Sequence, residues 1–247
     1  MKAFVFASFF LILVGCSGSN QKEIESEPRK GIIDRSIDFH FEDKNPNFSF
    51  LFRDRSFSID YSPEKFEYTS TYADSLGAHL RVLNNYGYLE YLDGEQVVLS
   101  VKDSLSHSES VNSVSYFNLL PLVLKEPAVQ AEELGLEEID SKAYHKIQVS
   151  FAQKGGGSDF QDVYYYWFDT LDYSMDYLAY SFVVNGGGTR FRKAENFRKV
   201  NGIGVQDYLN YKGPASPDSL KYISDLYKNN KLPLLSEIRV SGIKVNR

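Results

Sequence analysis

The chain has 247 residues, 43% of them hydrophobic, and 27 basic against 33 acidic side chains for a net charge of −6. That balance gives no general attraction to nucleic acid or to anionic membrane surfaces, so nucleic acid is excluded as a partner class. One cysteine in the whole chain excludes an internal disulfide framework and any multi-thiolate metal site.

The first segment reads as an address. Lys2 supplies a positive start, Phe4 to Val14 is apolar apart from the small Ala7 and Ser8, and Gly15 precedes Cys16. The run is shorter than the roughly 20 apolar residues that cross a bilayer core of about 30 Å, so residues 1–15 read as a processed export signal. Leu13-Val14-Gly15-Cys16 resembles a bacterial lipobox, which implies lipid on Cys16 as the new N-terminus. Removing the signal removes Lys2 alone and leaves 26 basic against 33 acidic side chains, a charge of −7. Residues 16–33 are the lipidated cysteine and a polar tether that buries too little apolar area to order itself. Residues 34–247 form a single domain, large enough to bury its own core without staples.

From residue 34 the pattern has period two. Phe39 and Phe41 alternate, then Phe48, Phe50 and Phe52, then Phe57, Ile59 and Tyr61, then Phe66 and Tyr68. Tyr86 to Tyr91 leads into Asp93-Gly94, a hairpin turn signal, and Val97 to Val101 resumes the strand. Ser110 caps a helix through Val111, Val114, Phe117 and Leu120, which Pro121 should kink or break. Tyr116 to Leu124 is apolar nearly all round, so this helix is buried or covers something apolar. Pro127 to Leu134 predicts a second short helix, closed by Gly135. Strands return at 145–151, 163–168, 175–184, 190–200 and 204–211. Ser216-Pro217-Asp218 starts a last helix with a stripe of Leu220, Ile223, Leu226 and Tyr227, and Ile238 to Val245 is the final strand. About ten strands on short connections, with about three helices, predict an α+β domain: a large curved antiparallel sheet with the helices against its concave face.

No set of residues makes a strong catalytic constellation. His40, His79, His107 and His145 share no metal-ligand spacing, and no cofactor or metal motif is present. Gly155-Gly156-Gly157-Ser158 lacks the glycine after the serine of a nucleophile elbow and the lysine of a phosphate loop. Asp169 and Asp172 fall where a hairpin turns, a place that favours aspartate for backbone reasons. With Asp176 they suggest a carboxylate pair for acid–base work. Asp159 and Asp162 beside the glycine run would suit calcium, without an EF-hand pattern to support it. Arg190 and Arg192 share one face of their strand, with Arg198 in phase unless a bulge intervenes, and Phe191 takes the other face. Two forked guanidiniums clamp a phosphate or carboxylate, or pair with Glu195 or Asp176 across the sheet. Tyr164-Tyr165-Tyr166-Trp167-Phe168 puts rings on both faces of one strand, so both faces are covered, by helix or by ligand.

Val111 to Phe117 with Leu120-Pro121, Tyr166-Trp167-Phe168, Asp176 to Tyr180, Gly186 to Arg192 and Asp207 to Tyr211 resemble a family of uncharacterised bacterial envelope lipoproteins. The resemblance covers about residues 45–212 and implies an envelope address without naming a reaction. In layout alone the chain is similar to the LolA and LolB lipoprotein-carrier superfamily. That likeness implies a half-open antiparallel barrel that binds acyl chains, with the helix at Tyr116 to Leu124 in the lid position.

These readings converge on a non-enzymatic lipoprotein that holds a lipid or other amphipathic ligand between curved sheet and helices. Phe117, Leu120, Tyr165 and Trp167 are the expected pocket residues, Arg190 and Arg192 the expected headgroup contacts, and Cys16 the lipidation site. The expected location is the cell envelope, at the outer membrane facing the periplasm or the cell surface. The competing reading is a structural lipoprotein that docks on an envelope protein partner and has no ligand cavity. A third, a hydrolase, would rest on Asp169 and Asp172.

Overall fold

The structure, a computed structural model, describes residues 31–154, 162–182 and 187–246. The lipobox with Cys16, most of the tether, and the glycine run 155–157 with Asp159 lie outside the described residues. Fourteen strands are seen among the described residues, in two antiparallel sheets of seven.

The first sheet is built from β1 (Asn47–Phe52), β2 (Arg55–Tyr61), β3 (Phe66–Asp74), β4 (Gly77–Asn84), β5 (Gly87–Leu92) and β6 (Glu95–Gln96), with β14 (Val240–Val245) beside β1. The second is built from β7 (Val129–Ile139), β8 (Lys142–Phe151), β9 (Tyr164–Asp169), β10 (Met175–Phe182), β11 (Gly188–Val200), β12 (Ile203–Lys212) and β13 (Leu234–Ile238), in sequence order from one edge to the other. Only Arg239 separates β13 from β14, so the chain's last two strands join the sheets along one side. On the other side, β6 and β7 end the two sheets, and the long helix α2 (Val101–Leu119) is the segment between them. The result is a half-open barrel.

The predicted hairpin turn is present. Asp93 and Gly94 both take positive φ, 50° and 86°, the geometry that matches strand twist in a two-residue turn. The aromatic alternation is the inner face of the first sheet: Phe48, Phe50, Phe57, Ile59, Tyr61 and Tyr68 are all buried in the main core. Against them, across the barrel, stand Tyr166, Phe168 and Leu178 of the second sheet, with Val111 and Leu119 of α2 between.

Four local expectations are corrected. Phe39 and Phe41 do not belong to a strand: Ile32–His40 is a helix, α1, because Ile33, Ile37 and His40 make a longer stripe of helical period. It begins two residues inside the stretch read as tether. Helix α2 starts at Val101, not after Ser110, and Ser100 caps it by accepting from the Asp103 N–H at 3.1 Å. The serine-rich first half hid it, since four serines and a histidine carry no apolar period. Val97 to Val101 is accordingly no strand. The helix expected at Pro127 to Leu134 is the start of β7. Its Ala, Glu and Leu favour a helix, but nine residues paired with β8 override that preference. Gly135, at φ 93°, sits in a bulge between Glu133 and Leu136 and caps no helix.

The helices divide between the two sides of the second sheet. Helix α2 lies on the concave side, and α1 packs on β12. The 3₁₀ turn Pro217–Tyr222 and helix α3 (Ile223–Lys228) cover the outer face, where Leu220 and Ile223 close over Tyr165, Trp167, Tyr177 and Phe191.

Candidate functional site

Two cross-strand rows carry a groove, whose floor is made by Tyr164, Tyr180, Arg190, Arg192, Asn210 and Ser236. Strand register aligns Tyr166, Leu178, Arg192, Asn210 and Ser236 across β9 to β13, and beside them Tyr164, Tyr180, Arg190 and Lys212. Residues opposed in an antiparallel pair point the same way, so each row faces α2 as a unit. The helix supplies the wall through Ser110, Val114 and Phe117. The groove holds about 530 Å³, within the range of small-molecule sites.

Arg192 is the centre of this arrangement. Only 8% of it is exposed. Its guanidinium carbon lies 3.8 Å from the Phe117 ring centre and 5.2 Å from that of Tyr180, and its Nη2 donates to the Tyr180 hydroxyl at 2.8 Å. Helix and sheet thus meet through a cation on aromatic faces, a contact strengthened by the loss of water around it. Arg190 stacks on Phe182 at 4.7 Å and donates to the Thr189 carbonyl at 2.8 Å. Among the described residues neither arginine forms an ion pair with a carboxylate, so the expected alternative of Glu195 or Asp176 as partner is not what the sheet uses. A bulge between Glu195 and Arg198 takes Arg198 out of line, and it pairs with Asp207 at 3.2 Å.

Deeper in, Tyr116 of α2 and Tyr166 of β9 share a hydrogen bond of 3.0 Å. Burial raises the phenols of Tyr116 and Tyr166, and pushes Tyr208 up to about 12. All three stay neutral hydroxyls near pH 7, as an apolar pocket requires. The other flank of α2 rests on charge. His107 meets the Glu90 carboxylate at 2.7 Å, with Tyr88 at 2.5 Å and Arg81 at 3.3 Å. Burial alone would raise the Glu90 carboxyl, but these hydrogen bonds and the Arg81 charge outweigh it and hold the group below the usual glutamate range.

The expected pocket residues separate. Phe117, Arg190 and Arg192 line the groove. Leu120 is buried in the core just past α2. Tyr165 and Trp167 are on the opposite face, under α3, where Trp167 donates to Glu137 at 3.1 Å. Period two dictates this: if Tyr164 and Tyr166 face the groove, their neighbours cannot. Tyr164, Tyr180, Phe182 and Asn210 also line the groove and were absent from the sequence-based set. Their parity with Arg192 was readable, but only strand register shows which rows coincide.

The remaining candidates resolve into local contacts. Asp169 and Asp172 accept backbone N–H groups of the turn, from Leu171 at 2.7 Å and Ser174 at 2.9 Å. Asp176 accepts from Tyr144 and Ser174. His79 and His107 both approach Glu90, yet no group of three or more His, Cys, Asp or Glu side chains among the described residues is arranged to hold a metal. No described helix is long and apolar enough to cross a membrane.

Two solved structures share the architecture. A LolA superfamily protein from Nitrosomonas europaea superposes with a TM-score of 0.51 at 10% identity, over 87% of this chain and 92% of the other. A DUF1329 family protein from Desulfovibrio piger gives 0.52 at 11% identity, over 87% and 90%. At such identities the likeness establishes the fold, which is LolA-like. No curated protein matches the chain. The profile of DUF6503, a family of unknown function, matches residues 2–239. The chain belongs to the DUF6503 family.

Proposed function

We propose that this protein is a lipid-anchored envelope protein that binds a lipid or other amphipathic molecule in the groove between α2 and the second sheet, without transforming it. The observation that carries this reading is the groove itself. Phe117, Tyr164, Tyr180 and Phe182 offer an aromatic lining inside a half-open barrel that has its own packed core. A fully packed concave face would have favoured the docking-only reading, and this face is not fully packed. The acyl-chain binding implied by the LolA likeness supports the same choice, as analogy of fold. Cys16 is the anchor in this reading, and the cell envelope the location.

The test is native mass spectrometry and lipid extraction on the domain made without its signal and with Cys16→Ser. A defined amphiphile retained at near one-to-one is the expected result. A protein that emerges empty and takes up no acyl chain on loading would overturn it and leave docking on an envelope protein. Acyl labelling of the full chain in cells, present in wild type and absent in Cys16→Ser, is the expected result for the anchor.

A further inference from the structure

The Arg192 Nε and the Asn210 Oδ1, both on the groove wall, have no hydrogen-bond partner among the described residues, and they belong to opposed residues. Arg192 and Asn210 face each other across β11 and β12, and each is more than nine-tenths buried. The Arg192 Nε is unpaired, although its Nη2 is bound to Tyr180. The Asn210 Oδ1 is unpaired, although its Nδ2 donates to Ser236 Oγ at 3.0 Å. Buried polar groups are nearly always satisfied, so a donor and an acceptor left open on one cavity wall mark a place for a polar guest. The charge around them has a sign. Arg53, Arg190 and Arg192 line the groove against Glu109 and Asp162, an excess of one positive charge in a protein of net charge −6.

We infer that the groove selects its ligand by the head: an oxyanion, carboxylate or phosphate, accepts from Arg192 Nε, and a neighbouring hydroxyl or N–H donates to Asn210 Oδ1. The chain of the same molecule lies along Phe117, Tyr180 and Phe182. This rests on the groove being the binding site, and adds which amphiphiles it takes. A guanidinium stays charged at any physiological pH and offers Nε in a fixed fork, so an oxyanion is the natural complement. The Asn210 acceptor discriminates further, because a bare carboxylate leaves it open while a hydroxylated phosphate head fills it.

The experiment is displacement of an alkyl fluorophore by palmitoyl-lysophosphatidate, palmitate, monopalmitin and inorganic phosphate. Wild type is expected to bind lysophosphatidate about tenfold or more tighter than neutral monopalmitin, with palmitate between. Arg192→Gln should erase the preference for the anion, and Asn210→Leu the preference for lysophosphatidate over palmitate. Arg192→Lys, which keeps the charge and loses Nε, serves as the control should the glutamine variant fold poorly, and is expected to lose most of the preference. Equal affinity for neutral and anionic chains would overturn the head assignment and leave the groove reading standing, with water as the partner of the two atoms. Phosphate alone competing as well as lysophosphatidate would overturn the amphiphile and leave a free-anion site. Failure of every chain-bearing probe would remove the groove reading itself.

Discussion

Tyr164 and Tyr166 face α2, while Tyr165 and Trp167, one step along the same strand, face α3. Both faces are aromatic, and the difference lies in what covers them. On the outer face, Leu220 and Ile223 close the layer, Phe191 has no exposure, and its ring lies 4.7 Å from that of Tyr227. Three polar tips there have a fixed partner: Glu137 for Trp167, Gln148 for Tyr165 and Asp140 for Tyr177. On the inner face six of the covering helix's 19 residues are serine, its buried stripe is confined to Val111, Ser115 and Leu119, and the space beside Phe117 is left open. A closed aromatic layer is a scaffold, and an incompletely covered one leaves room for a ligand. Composition does not distinguish the two, whereas the sequence of the covering helix does.

The sharpest way to test that contrast is to damage the closed face. Phe191→Ala removes a ring with no exposure, packed against Trp167, Tyr177 and Tyr227. We expect a loss of about 3–5 kcal/mol in chemical denaturation, with ligand affinity of the folded fraction unchanged. A stable protein that loses binding instead would place the site on the wrong face.

The next effect concerns α1 on β12. Burial drives His40 down to about 4, against the raising effect of its bond to the Ser36 carbonyl. The unfolded chain then binds a proton that the folded one refuses between about pH 6.5 and pH 4. Stability from this group is full above pH 6.5 and is lost as pH falls, by about 3 kcal/mol at pH 4. Denaturation midpoints across that window should fall in wild type and flatten in His40→Gln. An equally steep fall in the variant would assign acid sensitivity elsewhere, with Glu90 the first candidate at lower pH.

The smallest change in stability belongs to the open face. Phe117→Ala takes a half-buried ring off Arg192, and should cost only about 1–2 kcal/mol of stability while weakening amphiphile binding about tenfold. Trp167 emission should stay nearly constant on ligand addition in either protein, because its ring is under α3. A large change in emission would mean that the outer face moves or binds as well.

Residues in local alternation were legible from the chain alone. The inner rings from Phe48 to Tyr68, the Asp93-Gly94 turn, strands β8 to β12 of the second sheet and the arginine pair on one face all follow from period two and turn chemistry. The errors at β7 and α2 have one cause, competition between local preference and distant pairing. Ala131, Glu132, Glu133 and Leu134 are helix formers held in a strand by β8, and the serines of α2 are weak formers held in a helix by its cap and by contacts with β3, β4 and β5.

That β9 carries rings on both sides and that Arg190 and Arg192 share one side follows from residue order alone, because side-chain direction along a strand is set by backbone geometry. Which side meets α2, which meets α3, and the alignment of Asn210 and Ser236 with Arg192 emerge only when the strands pair and the helices pack. Register across five strands and the crossing of a helix are long-range outcomes, fixed by the burial of many residues together, and no local pattern in the chain encodes them singly.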